Sequence, residues 1–276
     1  MLLVGQHKLR DTIKKVNSLN GLTILLGPYG SGRTTISKWI ADYFGYKYIV
    51  IDNKIADIRQ MINDTMALNE HTIYFIRDAD NMTLQAMNAM LKIAEEPPKN
   101  LHIILGIVDT DNTLETIISR SNLYTMDYYM YDEIVEYYKN IGNLSMEHEK
   151  ELLQIASTPG MLKKLIQYDF DKCYEYVQLV YDNVLKVSTG NAFKIGNKIG
   201  FKGEEDLIPI DVFFLIYLEV LRSRIIESCN RPNGKNILSK QIQFTTKALK
   251  DITRKGSNKK LIFDVWTLNI RTLRNI

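Results

Sequence analysis

At 276 residues, with 45% hydrophobic and 24% charged residues, the chain has the composition of an ordinary globular protein of two or three units. No apolar stretch approaches the ~20 residues that span a bilayer, and no charged-then-apolar leader opens the sequence, so a membrane-spanning or secreted protein is not expected. The formal net charge of +3 is too small to establish a nucleic-acid partner.

In chain order, the apolar run Leu22–Leu26 reads as a buried strand, and Ile36, Trp39, Ile40 and Tyr43 fall at helical spacing. Between them lies Gly27-Pro28-Tyr29-Gly30-Ser31-Gly32-Arg33-Thr34-Thr35, a Walker A phosphate-binding loop in every respect but one. Its glycines would let backbone N–H groups turn inward around a β-phosphate, and Thr34 would set a hydroxyl on Mg²⁺ at a helix N-terminus. Arg33 stands where a lysine is required, and a planar guanidinium replaces the compact ammonium around which such a loop wraps.

Further strand-like runs follow at Tyr46–Ile51, Thr72–Ile76 and Leu101–Val108, with Tyr124–Met126 as a short fifth, and helical patterns separate them. That alternation predicts an α/β fold: a parallel sheet with flanking helices and the phosphate loop after its first strand. A nucleotide hydrolase of this kind needs an acidic pair at the end of the Thr72–Ile76 strand, one residue for Mg²⁺ and one for the attacking water. Here the strand runs into Arg77-Asp78-Ala79-Asp80, so the first acid is missing. A charge reversal about 5 Å from Mg²⁺ costs on the order of 10 kcal/mol at an effective dielectric near 20, before solvent screening. Asp78 can substitute only if the strand end bends, because neighbouring strand residues face opposite sides.

From about Asp132 the strand signal disappears and helices are expected to the end, at 132–138, 148–156, 160–168, 173–186, 212–228, 238–254 and 259–273, with turns at 188–203 and 230–236. Cys173 and Cys229 stand far apart without His or Cys at ligand spacing, which assembles no zinc site and fits reduced thiols in a cytoplasm. His7, His71, His102 and His148 are scattered and read as surface or packing residues.

The segment Asn88-Ala89-Met90-Leu91-Lys92-Ile93-Ala94-Glu95-Glu96-Pro97-Pro98 is an amphipathic helix stopped by a diproline. It closely resembles a signature of bacterial clamp-loader subunits, and the likeness continues in register. Val4-Gly5-Gln6 resembles the family's opening box, Ile55-Ala56-Asp57-Ile58-Arg59 the helix before the Walker B strand, and Ile118-Ser119-Arg120-Ser121 its Ser-Arg-Cys motif. Ser157-Thr158-Pro159-Gly160-Met161-Leu162-Lys163 is similar to the lid motif, with Lys163 near the sensor 2 position.

The resemblance implies an AAA+ subunit of a DNA polymerase sliding-clamp loader, most like the delta-prime subunit. It implies an AAA+ domain over residues 1–130, a helical lid over 131–168 and a helical collar over 169–276 that holds a ring-like pentamer together. It also implies other loader subunits, a sliding clamp and primer–template DNA as partners, with ATP and Mg²⁺ possible at Gly27, Gly30, Ser31, Gly32, Arg33, Thr34, Thr35 and Lys163. Arg120 would be an arginine finger reaching a neighbour's site, whereas Asp78 would be a degenerate Walker B acid. No zinc module is expected, because the stretch after the Walker A helix lacks a cysteine cluster. With Arg33, Arg77 and Val108 at positions of the catalytic set, weak or absent intrinsic hydrolysis is expected. An active motor subunit and an AAA+ adaptor or helicase loader are the alternatives. Lys54, Arg59 and Gln85 are candidate DNA contacts by position, and Met61, Ile62, Met66 and Leu68 form a small apolar stripe that suits either a sliding clamp or core packing.

Overall fold

The computed structural model describes residues 3–19, 21–65, 68–142, 145–201, 207–227, 232–254 and 256–275. Five parallel strands, β1 (Leu22–Leu26), β2 (Lys47–Ile51), β3 (Thr72–Ile76), β4 (Leu101–Ile107) and β5 (Ser121–Thr125), form one sheet in the order β2-β3-β4-β1-β5. The central strands β3 and β4 are buried at every residue, whereas the outer strands β2 and β5 alternate between half-buried and exposed. Continuous apolar runs such as Thr72-Ile73-Tyr74-Phe75-Ile76 are what a parallel strand covered on both faces requires.

The helices between the strands supply that cover. α1 (His7–Lys14) and α2 (Arg33–Phe44) pack Leu9, Ile13, Ile36 and Ile40 against Leu25, Ile73, Phe75 and Ile104 on one face. α3 (Ile55–Asp64), α4 (Leu84–Glu95) and the short α5 (Glu115–Ile118) pack Ile58, Met61, Met87, Met90 and Ile117 against Ile24, Tyr74, Leu105 and Ile107 on the other. The Thr83 hydroxyl caps α4 by accepting from the Ala86 N–H at 3.2 Å, and the helix ends at Glu95, before the diproline. α6 (Tyr131–Ile141) follows β5.

The chain divides into two units, Met1–Asn143 with Ser157–Met161, and Leu144–Ala156 with Leu162–Ile276. The second contains α7 (Glu149–Ile155), most of α8 (Pro159–Gln167), α9 (Phe170–Val184), α10 (Thr189–Lys194), α11 (Ile210–Glu227), α12 (Pro232–Ile252) and α13 (Lys259–Thr272). Its core is aromatic: Trp266 meets Phe213, Phe214, Tyr217 and Phe263 at ring separations of 4.9–5.5 Å and donates its indole N–H to Thr245 at 3.0 Å. α11 is apolar on nearly all sides because it runs through the middle of this core.

The α/β reading of the first half therefore holds, with helices in the second. Three details differ from the sequence-based expectation. The fifth strand runs over Ser121–Thr125 rather than starting at Tyr124, because the Leu22–Leu26 strand offers it a partner along its whole length. The strand signal does not vanish altogether after Asp132: Ile199–Gly200 and Ile208–Pro209 form a small parallel pair, β6 and β7. Neither expected turn is only a turn: α10 occupies Thr189–Lys194 within 188–203, and that at 230–236 is taken up by α12 from Pro232, since proline is favoured in a first helical turn. Cys173 is a buried free thiol donating to the Tyr168 carbonyl at 3.0 Å, whereas Cys229 and Met66 lie outside the described residues. Burial pushes the Cys173 thiol up to about 11.

Candidate functional site

The phosphate loop leaves β1 at Leu26 and enters α2 at Arg33. Gly30 and Gly32 have φ of 76° and 89°, a left-handed conformation that glycine adopts without strain, so the turn is built as the motif requires. The Gly27 N–H donates to the Ile107 carbonyl at 3.1 Å, the Ser31 N–H to that of Pro28 at 3.1 Å, and the Tyr129 hydroxyl to that of Ser31 at 2.7 Å. Thr34 is exposed and Thr35 half-buried on the first turn of α2. Tyr48 and Ser37 share a 2.7 Å hydrogen bond, and the Ser37 hydroxyl also donates to the Thr34 carbonyl at 3.0 Å.

The charged side chains are committed to one another. Arg33 is 8% exposed, and its Nη2 lies 3.2 Å from Oδ1 of Asp78, whose own side chain is 50% exposed. Asp78 reaches it because the chain after β3 bends: Asp78 has φ 47° and ψ 49°, uncommon for a non-glycine residue, and its carbonyl accepts from Asn53 Nδ2 at 2.9 Å. The bend that the sequence required for Asp78 to act is therefore present, and the carboxylate faces Arg33. Arg33 Nη1 is buried with no hydrogen-bond partner among the described residues. Arg77, expected at the position of the metal-binding acid, pairs with Asp52 at 3.4 Å.

Asp80 has a different task. Its Oδ2 accepts the Val108 N–H at 3.2 Å, tying the end of β4 to the turn after β3. Val108, expected at the sensor 1 position, is 40% exposed. The residues present therefore fit a phosphate group, through the loop backbone and the N-terminus of α2. They fit its divalent metal poorly: Asp78 is held by the Arg33 guanidinium, and Arg77 stands where a metal ligand is expected.

A second segment closes on the loop. The Gly160 N–H donates to the Gly30 carbonyl at 2.9 Å, and the Thr158 hydroxyl to that of Tyr29 at 3.1 Å. A Cβ on Gly160 would come within 2.4 Å of the Gly30 Cα, so two glycines are needed for the backbones to approach. Across the N-terminal turn, Gln6 donates to the Asp127 carbonyl at 2.7 Å and accepts the Asp127 N–H at 2.9 Å.

Arg120 lies at the other end of the sheet. It precedes Ser121, which pairs with Leu22, whereas the phosphate loop follows Leu26, about 13 Å further along the strand at ~3.3 Å per residue. Its guanidinium donates to the Thr116 carbonyl at 3.0 Å and pairs with Glu95 at 3.2 Å, with the side chain 38% exposed. Lys54, Arg59 and Gln85 are exposed on or beside α3 and α4. Lys163 is exposed on α8, in the second unit. Sequence reasoning missed Tyr129, Asp80 and the Gly30–Gly160 contact. Only the paired glycines carried a signal, as small residues in two loops.

The family described as "DNA polymerase III, delta subunit" matches residues 45–129, a stretch beginning after the phosphate loop. The chain is 24% identical over 193 residues to the DNA polymerase III subunit gamma of Buchnera aphidicola (Schizaphis graminum), covering 56% of this chain and 52% of that protein. It is 25% identical over 108 residues to the delta' subunit of Haemophilus influenzae, covering 39% and 32%. Over these stretches the chain is similar to DNA polymerase III gamma and delta' subunits. A solved DNA polymerase III gamma subunit-related protein of Thermotoga maritima superposes over 98% of this chain and 99% of its own, with a TM-score of 0.53 and 19% identity. The Holliday junction branch migration motor RuvB of the same organism superposes over 86% and 81%, with a TM-score of 0.50 and 15% identity. These two likenesses concern the fold. The chain spans about half, or less, of the length of the curated relatives named here.

Proposed function

We propose that this chain is an assembly subunit of a DNA polymerase sliding-clamp loader, most like delta-prime, that helps place the clamp on primer–template DNA in the cytoplasm. It works in a ring-like pentamer with other loader subunits. It donates Arg120 to a neighbour's ATP site and hydrolyses little or no ATP itself. The finer division into an AAA+ domain over residues 1–130, a lid over 131–168 and a collar over 169–276 belongs to this reading. So do phosphate contact by Lys163 and DNA contact by Lys54, Arg59 and Gln85.

The observation that carries the proposal is the opposition of two arginines. Arg33 is turned inward onto Asp78, in the chain's own phosphate loop. Arg120 is displayed at the far end of the sheet, beyond reach of that loop, so any phosphate it meets belongs to another subunit. An arginine supplied across an interface can accelerate phosphoryl transfer by ~10³–10⁵. When bound, a nucleoside triphosphate would lay its phosphates along the Gly27–Thr34 backbone, which would orient it without supplying a metal ligand.

The test is reconstitution with partner loader subunits, measuring ATP hydrolysis stimulated by DNA and clamp. Arg120→Ala should lower the assembled rate at least a hundredfold, on the order of 10² or more by the magnitude of trans-acting arginines. An unchanged rate would remove the trans-acting role. Turnover by the isolated chain that disappears with Arg33→Ala or Asp78→Ala would instead make it a motor. Failure to bind either clamp or loader subunits would favour an adaptor or helicase loader on the same fold.

A further inference from the structure

Among the described residues β2 is an outer strand paired with β3 alone, which leaves its other edge open. The Lys47 N–H bonds the His71 carbonyl at 2.9 Å, which sets the ladder: residues 47, 49 and 51 turn their backbone groups to β3, and Tyr48 and Val50 turn theirs away. Val50 is 40% exposed. Beside this edge, between β2 and α3, lies a groove of about 370 Å³ floored by Met61 and Tyr74.

The walls of the groove are acidic. Asp57 and Asp64 stand two turns apart on α3, on the face that also carries Met61, and Asp52 closes the end next to Arg77. Asp57 and Asp64 have no ion-pair partner among the described residues, and no lysine or arginine lines the groove. Lys47, at the start of β2, pairs with Glu70 at 3.3 Å. An open strand edge is ordinarily blunted by lysine, proline or a bulge; here the central exposed position is Val50. Parallel carboxylates along such an edge repel nucleic-acid phosphates and attract a cationic chain.

We infer that this groove is a docking site for an extended basic segment of a partner protein, which adds as a strand to the Tyr48–Val50 edge and sets alternate Lys or Arg side chains against Asp57 and Asp64. Backbone pairing supplies the affinity, and the carboxylates select the partner and the register. The groove lies between β2 and α3, its Asp52 end meeting Arg77 and the Tyr48 hydroxyl reaching Ser37 of α2, and the inference does not rest on the proposed function.

The experiment uses the full chain and fluorescein-labelled peptides of about ten residues, the upper range of strand length. One alternates Val with Lys, one alternates Val with Glu, and one is the Val–Lys peptide with N-methyl groups on alternate amides. Anisotropy should show the Val–Lys peptide binding about tenfold more tightly than the Val–Glu peptide, with the preference falling as salt is raised. Asp57→Asn with Asp64→Asn should weaken it about tenfold at unchanged melting temperature, and N-methylation should abolish it. Equal binding of both peptides, indifference to the double variant or to N-methylation, or displacement of the Val–Lys peptide by single-stranded DNA from the unsubstituted groove would overturn the inference.

Discussion

Replacing Asp78 by alanine should destabilise the first unit more than replacing Arg33 by methionine does, although both changes break the same ion pair. At 3.2 Å and an effective dielectric near 20 the direct attraction is about 5 kcal/mol, but burying Arg33 opposes it and water at the half-exposed Asp78 screens it. In Asp78→Ala the guanidinium, 8% exposed, keeps its burial and loses its carboxylate. Fully buried pairs broken in this way cost 3–5 kcal/mol, and with one partner half in water about 2 kcal/mol is expected here. In Arg33→Met an apolar chain of similar length takes the space, and the stranded carboxylate can hydrate; the expected cost is below about 1 kcal/mol. With Met at position 33, adding Asp78→Ala should cost little more, so the double-mutant cycle returns a coupling of roughly 1–2 kcal/mol. Urea unfolding followed by Trp39 fluorescence in a Trp266→Phe background reports the first unit, because these are the chain's two tryptophans. A larger loss for Arg33→Met than for Asp78→Ala, or additive single effects, would refute the assignment of Asp78 as the group that makes a buried arginine tolerable.

Gly160→Ala should force the 157–161 segment away from the phosphate loop, since its Cβ would fall 2.4 Å from the Gly30 Cα; overpacking of this kind costs about 1–3 kcal/mol, measurable as a lowered midpoint in the same urea assay. Tyr129→Phe leaves the Ser31 carbonyl without its 2.7 Å donor and should cost about 1 kcal/mol, a fall of ~2–4 °C in Tm for a unit of this size. The pH dependence should carry a His102 signature. Burial first, and the neighbouring His71 second, lower its pKa from 6.5 to about 4, so below pH 6.5 the unfolded chain binds a proton that the folded chain does not. Stability is accordingly complete above about 6.5 and falls by about 2–3 kcal/mol as pH drops to about 4, where the loss levels off. His102→Gln should flatten that slope in urea titrations, and an unaltered slope would assign it to other groups.

Much of the fold was legible because its signals are local. Leu22–Leu26 and Thr72–Ile76 are apolar without interruption because both faces of a central parallel strand are covered, and Pro97-Pro98 ends α4 through the conformation it forbids to its predecessor. The Walker A pattern, the displaced acid at Arg77 and the Ser-Arg pair at 119–120 could likewise be read as residues at fixed spacing. The bend that turns Asp78 back was foreseen as a condition, not as a fact, because a left-handed aspartate depends on what surrounds it.

Amino-acid order alone determined the strand–loop–helix frame, the helical second half and the placing of Arg33 and Arg77 in the phosphate loop and after β3, since propensity and hydrophobic period act over a few neighbouring residues. Tertiary structure decided what those arginines do. Arg33 meets Asp78 across 45 positions, Gly160 meets Gly30 across 130, and the open edge beside Asp57 and Asp64 exists because β2 ends the sheet. Contacts between distant segments depend on where the whole core brings each backbone, and no local spacing records that.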